Sequence, residues 1–74
     1  MDRAILEQHL AQAQRHVIEG LEHLGLQEQI IADLERGGHD AAEALKVLAT
    51  LRKTQATHED SVKRILSELK ASDN

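Results

Sequence analysis

The chain has 74 residues, no Cys, no Pro and no aromatic residue, with 41% hydrophobic residues, 30% charged residues and a formal net charge of −4. That length makes one small domain at most, and so small a fold ordinarily adds a disulfide, a metal or a partner subunit to its limited core. Without Cys the disulfide and the thiolate metal site are excluded, and oligomerisation is the first expectation.

The first predicted element is a helix over residues 3–36, with Asp2 as its N-cap. Leu6, Leu10, Ala13, Val17, Gly20, Leu24, Gln27, Ile31 and Leu34 follow one another at steps of three or four. Taking Leu10, Val17, Leu24 and Ile31 as heptad position a, the opposite f face is Gln8, Arg15, Glu22, Gln29 and Arg36, polar throughout. One apolar stripe against one polar stripe marks an amphipathic helix.

A turn is expected at 37–39. Gly37 is the expected left-handed stop and Gly38 adds slack. Asp40-x-x-Glu43 reads as a capping-box variant that opens the second helix, predicted over 40–70. So short a join requires antiparallel neighbours.

Helix 2 repeats the period through Ala41, Ala44, Leu48, Leu51, Gln55, His58, Val62, Ile65 and Leu69. Its f face is Lys46, Lys53, Asp60 and Ser67, and Glu59–Lys63 and Asp60–Arg64 are expected i,i+4 ion pairs. Thr54–His58 is the weak stretch, where a break could start a third helix. Residues 70–74 are expected to fray. The fold class is therefore all-α: an antiparallel helical hairpin, residues 1–74 as one domain. The expected core is Leu10, Val17, Leu24, Ile31, Leu48, Leu51, Val62, Ile65 and Leu69.

Folding the chain at residue 38 opposes positions whose numbers total about 76. His16, Gly20, Gln55 and His58 then form a polar layer mid-way, between aliphatic ends that include Leu66 and Leu45. A polar group in a helical seam sets register and oligomer state. Apolar residues also flank the stripe: Ile5, Ile18, Leu21, Leu26 and Ile30, then Leu45, Val47 and Leu66. Two hairpins packed as a four-helix bundle would cover them, so a homodimer is expected, with a helical partner protein as the other occupant.

Chemistry finds less support. His9, His16 and His23 recur every seven residues, about 10.5 Å apart along a helix, too far for one metal. No metal ligand set is expected; His16 and His58, with His23 near, are the candidates if one exists. A milder alternative is a pH response, since five His could carry the charge from −4 to +1. No catalytic residue and no cofactor is expected: Ser61, Ser67 and Ser72 lack a base, Gly37-Gly38 lacks the strand and Lys of a phosphate loop, and a two-helix rod offers little room for a ligand pocket.

Residues 2–36 hold seven acids against Arg3, Arg15 and Arg36, while residues 40–73 hold six acids and six bases. With no aromatic for base stacking and no basic stripe, an RNA-binding hairpin dimer is the weakest alternative. The longest apolar run is three residues, and Met1-Asp2-Arg3 does not open a signal peptide, so no membrane span and a cytoplasmic site are expected.

Leu10-Ala11-Gln12-Ala13-x-Arg15-His16-Val17-x-Glu19-Gly20, then His23 and Gln29-x-Ile31-x-x-Leu34-Glu35-Arg36-x-Gly38-His39-Asp40, form a recognisable string. With Ala44-Leu45-x-x-Leu48, Gln55-x-x-His58 and Arg64-x-Leu66-x-x-Leu69, it resembles short uncharacterised helical-hairpin proteins of soil alphaproteobacteria. The resemblance covers about residues 6–69. It implies the hairpin fold and no activity, ligand or partner.

Overall fold

A computed structural model describes residues 2–72. Expectations that fall on Met1, Asp73 and Asn74 lie outside the described residues; of the expected fraying end, residues 70–72 are instead helical. Two helices, α1 (Arg3–Arg36) and α2 (Ala42–Ser72), fold back on each other as an antiparallel hairpin 57 × 14 × 12 Å in extent.

Asp2 caps α1: its carboxylate accepts from the Ala4 amide at 3.4 Å, and its carbonyl accepts from the Leu6 amide at 3.1 Å. The C-terminal stop corrects the expectation by one residue. Gly37 stays right-handed at φ −81°, and Gly38 takes φ +74°. The His39 amide donates to Leu34 O at 2.8 Å and the Gly38 amide to Glu35 O at 3.1 Å. These are the two bonds of a Schellman motif, and they fix Gly38 as its left-handed residue. An Ala there meets no neighbour but must adopt that φ. Gly38→Ala is expected to cost about 1–2 kcal/mol, seen as a lower urea midpoint at unchanged slope.

α2 begins two residues later than expected. Ala41 O accepts the first helical bond, from Leu45 N at 2.9 Å, while Asp40 Oδ1 accepts from Ala42 N at 2.9 Å. Asp40 thus caps from the residue before the N-cap, Ala41. Glu43 does not reach back to complete a box; it pairs with Lys46 at 3.3 Å. Glu59–Lys63 and Asp60–Arg64 are not formed, whereas Arg3–Glu7 and Asp33–Arg36 are, at 3.0 Å each. All these pairs are exposed and contribute little.

No break occurs at Thr54–His58: α2 is continuous over 31 residues, ending at Ser72 rather than 70. The hydroxyls of Thr50, Thr54, Thr57 and Ser61 each donate to the carbonyl four residues back, at 3.1–3.3 Å. Those hydroxyls are spent within the helix instead of competing with it.

Burial follows the three-four spacing. Ile31, Leu48, Ile65 and Leu69 are buried; Leu10, Val17, Leu24, Leu51 and Val62 are half-buried; both f faces are exposed. The core is split in two. Leu6, Ala13, Ile65 and Leu69, with Leu10 and Val62 against them, fill the end away from the turn. Ile31, Ala41 and Leu48, with Leu24, Leu34 and Ala44, fill the turn end. Leu45 and Leu66, placed in those ends by sequence, are instead 47% and 48% exposed. They occupy position e, beside the seam, and no third helix is present to cover them.

Candidate functional site

Between the two clusters the seam becomes polar. Gln55, only 5% exposed, donates from Nε2 to Val17 O at 2.9 Å across the hairpin. Its Oε1 is buried and accepts no hydrogen bond from a polar donor. That oxygen lies against Gly20. A Cβ on residue 20 would overlap Gln55 Oε1 and stand 2.8 Å from Cδ. The glycine Cα–H occupies that direction, so the weak donor facing the orphan oxygen is a C–H group. Gly20 is therefore the vacancy that admits the Gln55 carboxamide.

A second clamp was not read from the sequence. Gln27 is half-buried, and its Nε2 donates to Ala44 O at 2.9 Å. The signal was present, a Gln in the apolar series of helix 1 just as Gln55 stands in that of helix 2. Each helix thus sends one amide to a backbone carbonyl of the other. Such bonds form in one alignment only, because a slide of either helix leaves a buried amide without its acceptor.

His16 and His58 meet at one edge of the layer. Their ring centroids are 5.3 Å apart and tilted by 46°, with His16 exposed and His58 half-buried. Gly20, Gln55, His16, His58, Glu19 and His23 share a cleft of about 90 Å3. His9 lies further along, with His16, Ser61 and Glu68 on an open trough of about 390 Å3. A trough of about 330 Å3 runs along Gln14, Val17, Ile18 and Val62. The rod thus carries more groove volume than its two helices suggested, as open troughs. Among the described residues no three His, Asp or Glu side chains gather as a metal-binding group.

No family model, curated protein or solved structure matches this chain. The fold and the chemistry of its surfaces are therefore the whole basis for a functional reading.

Those surfaces are unlike on the two sides of the seam. One side carries positions g and c, where His9, His16 and His23 face Thr54, Ser61 and Glu68. The other carries positions e and b, where Ile18 and Leu21 of α1 lie on the same side as Leu45 and Leu66 of α2. Among the described residues no helix is long and apolar enough to cross a membrane.

Proposed function

We propose that the hairpin is a non-enzymatic interaction module that works by associating with itself, as a dimeric four-helix bundle. The observation that carries this reading is the amount of aliphatic surface left in water. Ile5, Ile18, Leu21, Leu26, Ile30, Leu45, Val47 and Leu66 are 42–66% exposed, and no described side chain is less than 2% exposed.

Full burial of such a side chain contributes about 1.5–3 kcal/mol, so each half-covered one forfeits roughly 1 kcal/mol. Eight of them forfeit an amount comparable with the roughly 5–15 kcal/mol that stabilises an ordinary domain. A core of two small clusters gives the isolated hairpin little in reserve, and a second hairpin offers the missing cover.

The test is the dependence of mass and helicity on concentration. Sedimentation equilibrium should return twice the chain mass in the micromolar range, with helicity lost on dilution as the dimer dissociates. A folded single chain at nanomolar concentration overturns the reading. A folded single chain that dimerises only with another helical protein would move the same surface to a different occupant.

The His16–His58 contact favours a histidine-based metal or pH response as the second reading. Two imidazoles are half of a closed four-ligand zinc site, and no third ligand joins them among the described residues. The self-association reading draws on more of the surface and is preferred.

A further inference from the structure

We infer that the hairpin dimerises through its e and b side, with α1 of each chain lying on α2 of the other and both turns at the same end of the bundle. This rests on the self-association reading above and adds the face, the pairing and the direction.

The face follows from what each side presents. On the e and b side the large residues Ile18, Leu21, Leu45 and Leu66 share the face with small Ala11, Gly25, Ala49 and Ala56 and with charged Glu7, Glu28, Arg52, Glu59 and Lys63, all exposed. Large side chains alternating with small ones let two layers interdigitate and approach closely. On the other side, the half away from the turn is His9, His16, Ser61, Arg64 and Glu68. The large apolar residues of that side are Ile5 at the far tip and Leu26, Ile30 and Val47 toward the turn, with the histidine stretch between them. Only the first side has large aliphatic residues, Ile18 and Leu21, at the middle of the hairpin. A 57 × 14 Å face has a footprint of about 800 Å2, the share each partner contributes to a standard stable interface.

The pairing follows from charge. Over Arg3–Arg36, α1 carries six acids and three bases; over Ala42–Ser72, α2 carries four acids and six bases. Formal charge is thus −3 on one helix and +2 on the other. Face-to-face packing about a two-fold axis has two solutions. An axis along the hairpin stacks α1 on the partner's α2 and sets like helices on the diagonals of the bundle. An axis across the hairpin stacks α1 on α1 and α2 on α2. In the first every neighbouring pair is of opposite charge; in the second two of the four neighbouring pairs are alike. Charge chooses between the arrangements, and the aliphatic surface drives association in either.

The axis along the hairpin also preserves height. The hairpin sets Gly20 level with Gln55 and His16 level with His58. A rotation about the long axis therefore brings Ile18 and Leu21 to the level of the partner's Ala56 and Thr54. Glu7 comes to lie between the levels of the partner's Lys63 and Lys70. The histidine side is left facing outward on both faces of the dimer.

The absence of Cys makes the test clean. His39→Cys, in the exposed turn, carries one nitroxide, and pulsed electron resonance reads the distance between the two labels. Turns at the same end place the labels about 30 Å apart or less, two layers being about 10 Å apart. Turns at opposite ends place them roughly one hairpin length apart, about 57 Å. The short distance is expected. The long distance overturns the pairing while leaving self-association standing, and no intermolecular distance in a sample that sediments as monomer overturns both.

The face is tested separately. Ile18→Lys with Leu66→Lys should abolish the dimer, and Ile30→Lys with Val47→Lys should leave it intact. Both pairs sit at exposed positions, so the first variant should lose helicity together with the dimer, as dilution does, and the second should keep both. The reverse pattern overturns the choice of face.

Discussion

Leu48→Asp is expected to leave the chain unfolded. Leu48 is 6% exposed and, with Ile31 and Ala41, forms the buried centre of the turn-end cluster. Removing it forfeits about 1.5–3 kcal/mol of burial. The replacement carboxylate then either ionises in an apolar setting, at several kcal/mol, or stays protonated at a comparable cost in pKa. A fold of this size draws only about 3–5 kcal/mol from its core, so the two losses together exceed the supply. Far-ultraviolet circular dichroism should show the helical signal lost. The matched control is Leu26→Asp, the same exchange at a residue 66% exposed, which should keep its helices. If both variants stay helical, the turn-end cluster does not hold the hairpin together.

Gly20→Ala should destabilise the protein, and the same substitution should stabilise it once Gln55 is replaced by Ala. In a free helix Ala is favoured over Gly by about 0.8–1 kcal/mol. Here the new methyl group meets the Gln55 carboxamide, which must move and abandon Val17 O. A lost buried hydrogen bond and an unsatisfied amide cost about 1–3 kcal/mol. The penalty is the larger effect, so the net change is expected to be a loss of about 1 kcal/mol. In the Gln55→Ala background the collision is absent and the helical preference of Ala remains. Urea melts of the four proteins in this cycle should give a coupling of about 2 kcal/mol, with the sign of the Gly20 effect reversed. Additive effects would mean that Gln55 does not occupy the space beside Gly20.

The hairpin was largely legible because its signal is repeated. The three-four series through α1 and α2 names the residues that turn inward, and each is buried or half-buried in the fold. What escaped were choices between equals. Gly37 and Gly38 both tolerate a left-handed conformation, and only the register of the last helical bonds decides for Gly38. Asp40 and Ala41 could each have opened α2, and only the bond from the Leu45 amide to Ala41 O shows where the ladder starts. Heptad letters could mark Leu45 and Leu66 as neighbours of the seam, but not that two helices alone would leave them wet. The polar layer was visible as a run of residue types. Its division into a buried carboxamide, a glycine vacancy and an exposed imidazole required coordinates. Gln27 was passed over because one amide among aliphatics reads as a gap in the stripe, while its partner is a backbone carbonyl that no sequence displays.

The split core also sets the order in which the rod closes. Ile31 and Ala41 are ten residues apart, whereas Leu6 and Leu69 are sixty-three apart. Loop-closure entropy makes the distant contact about 1.6 kcal/mol harder to form first. The molecule therefore zips from its bend toward its tips and opens from the tips like tweezers. The Gln55 amide, bonded to Val17 O between the two clusters, marks the boundary between the two strokes.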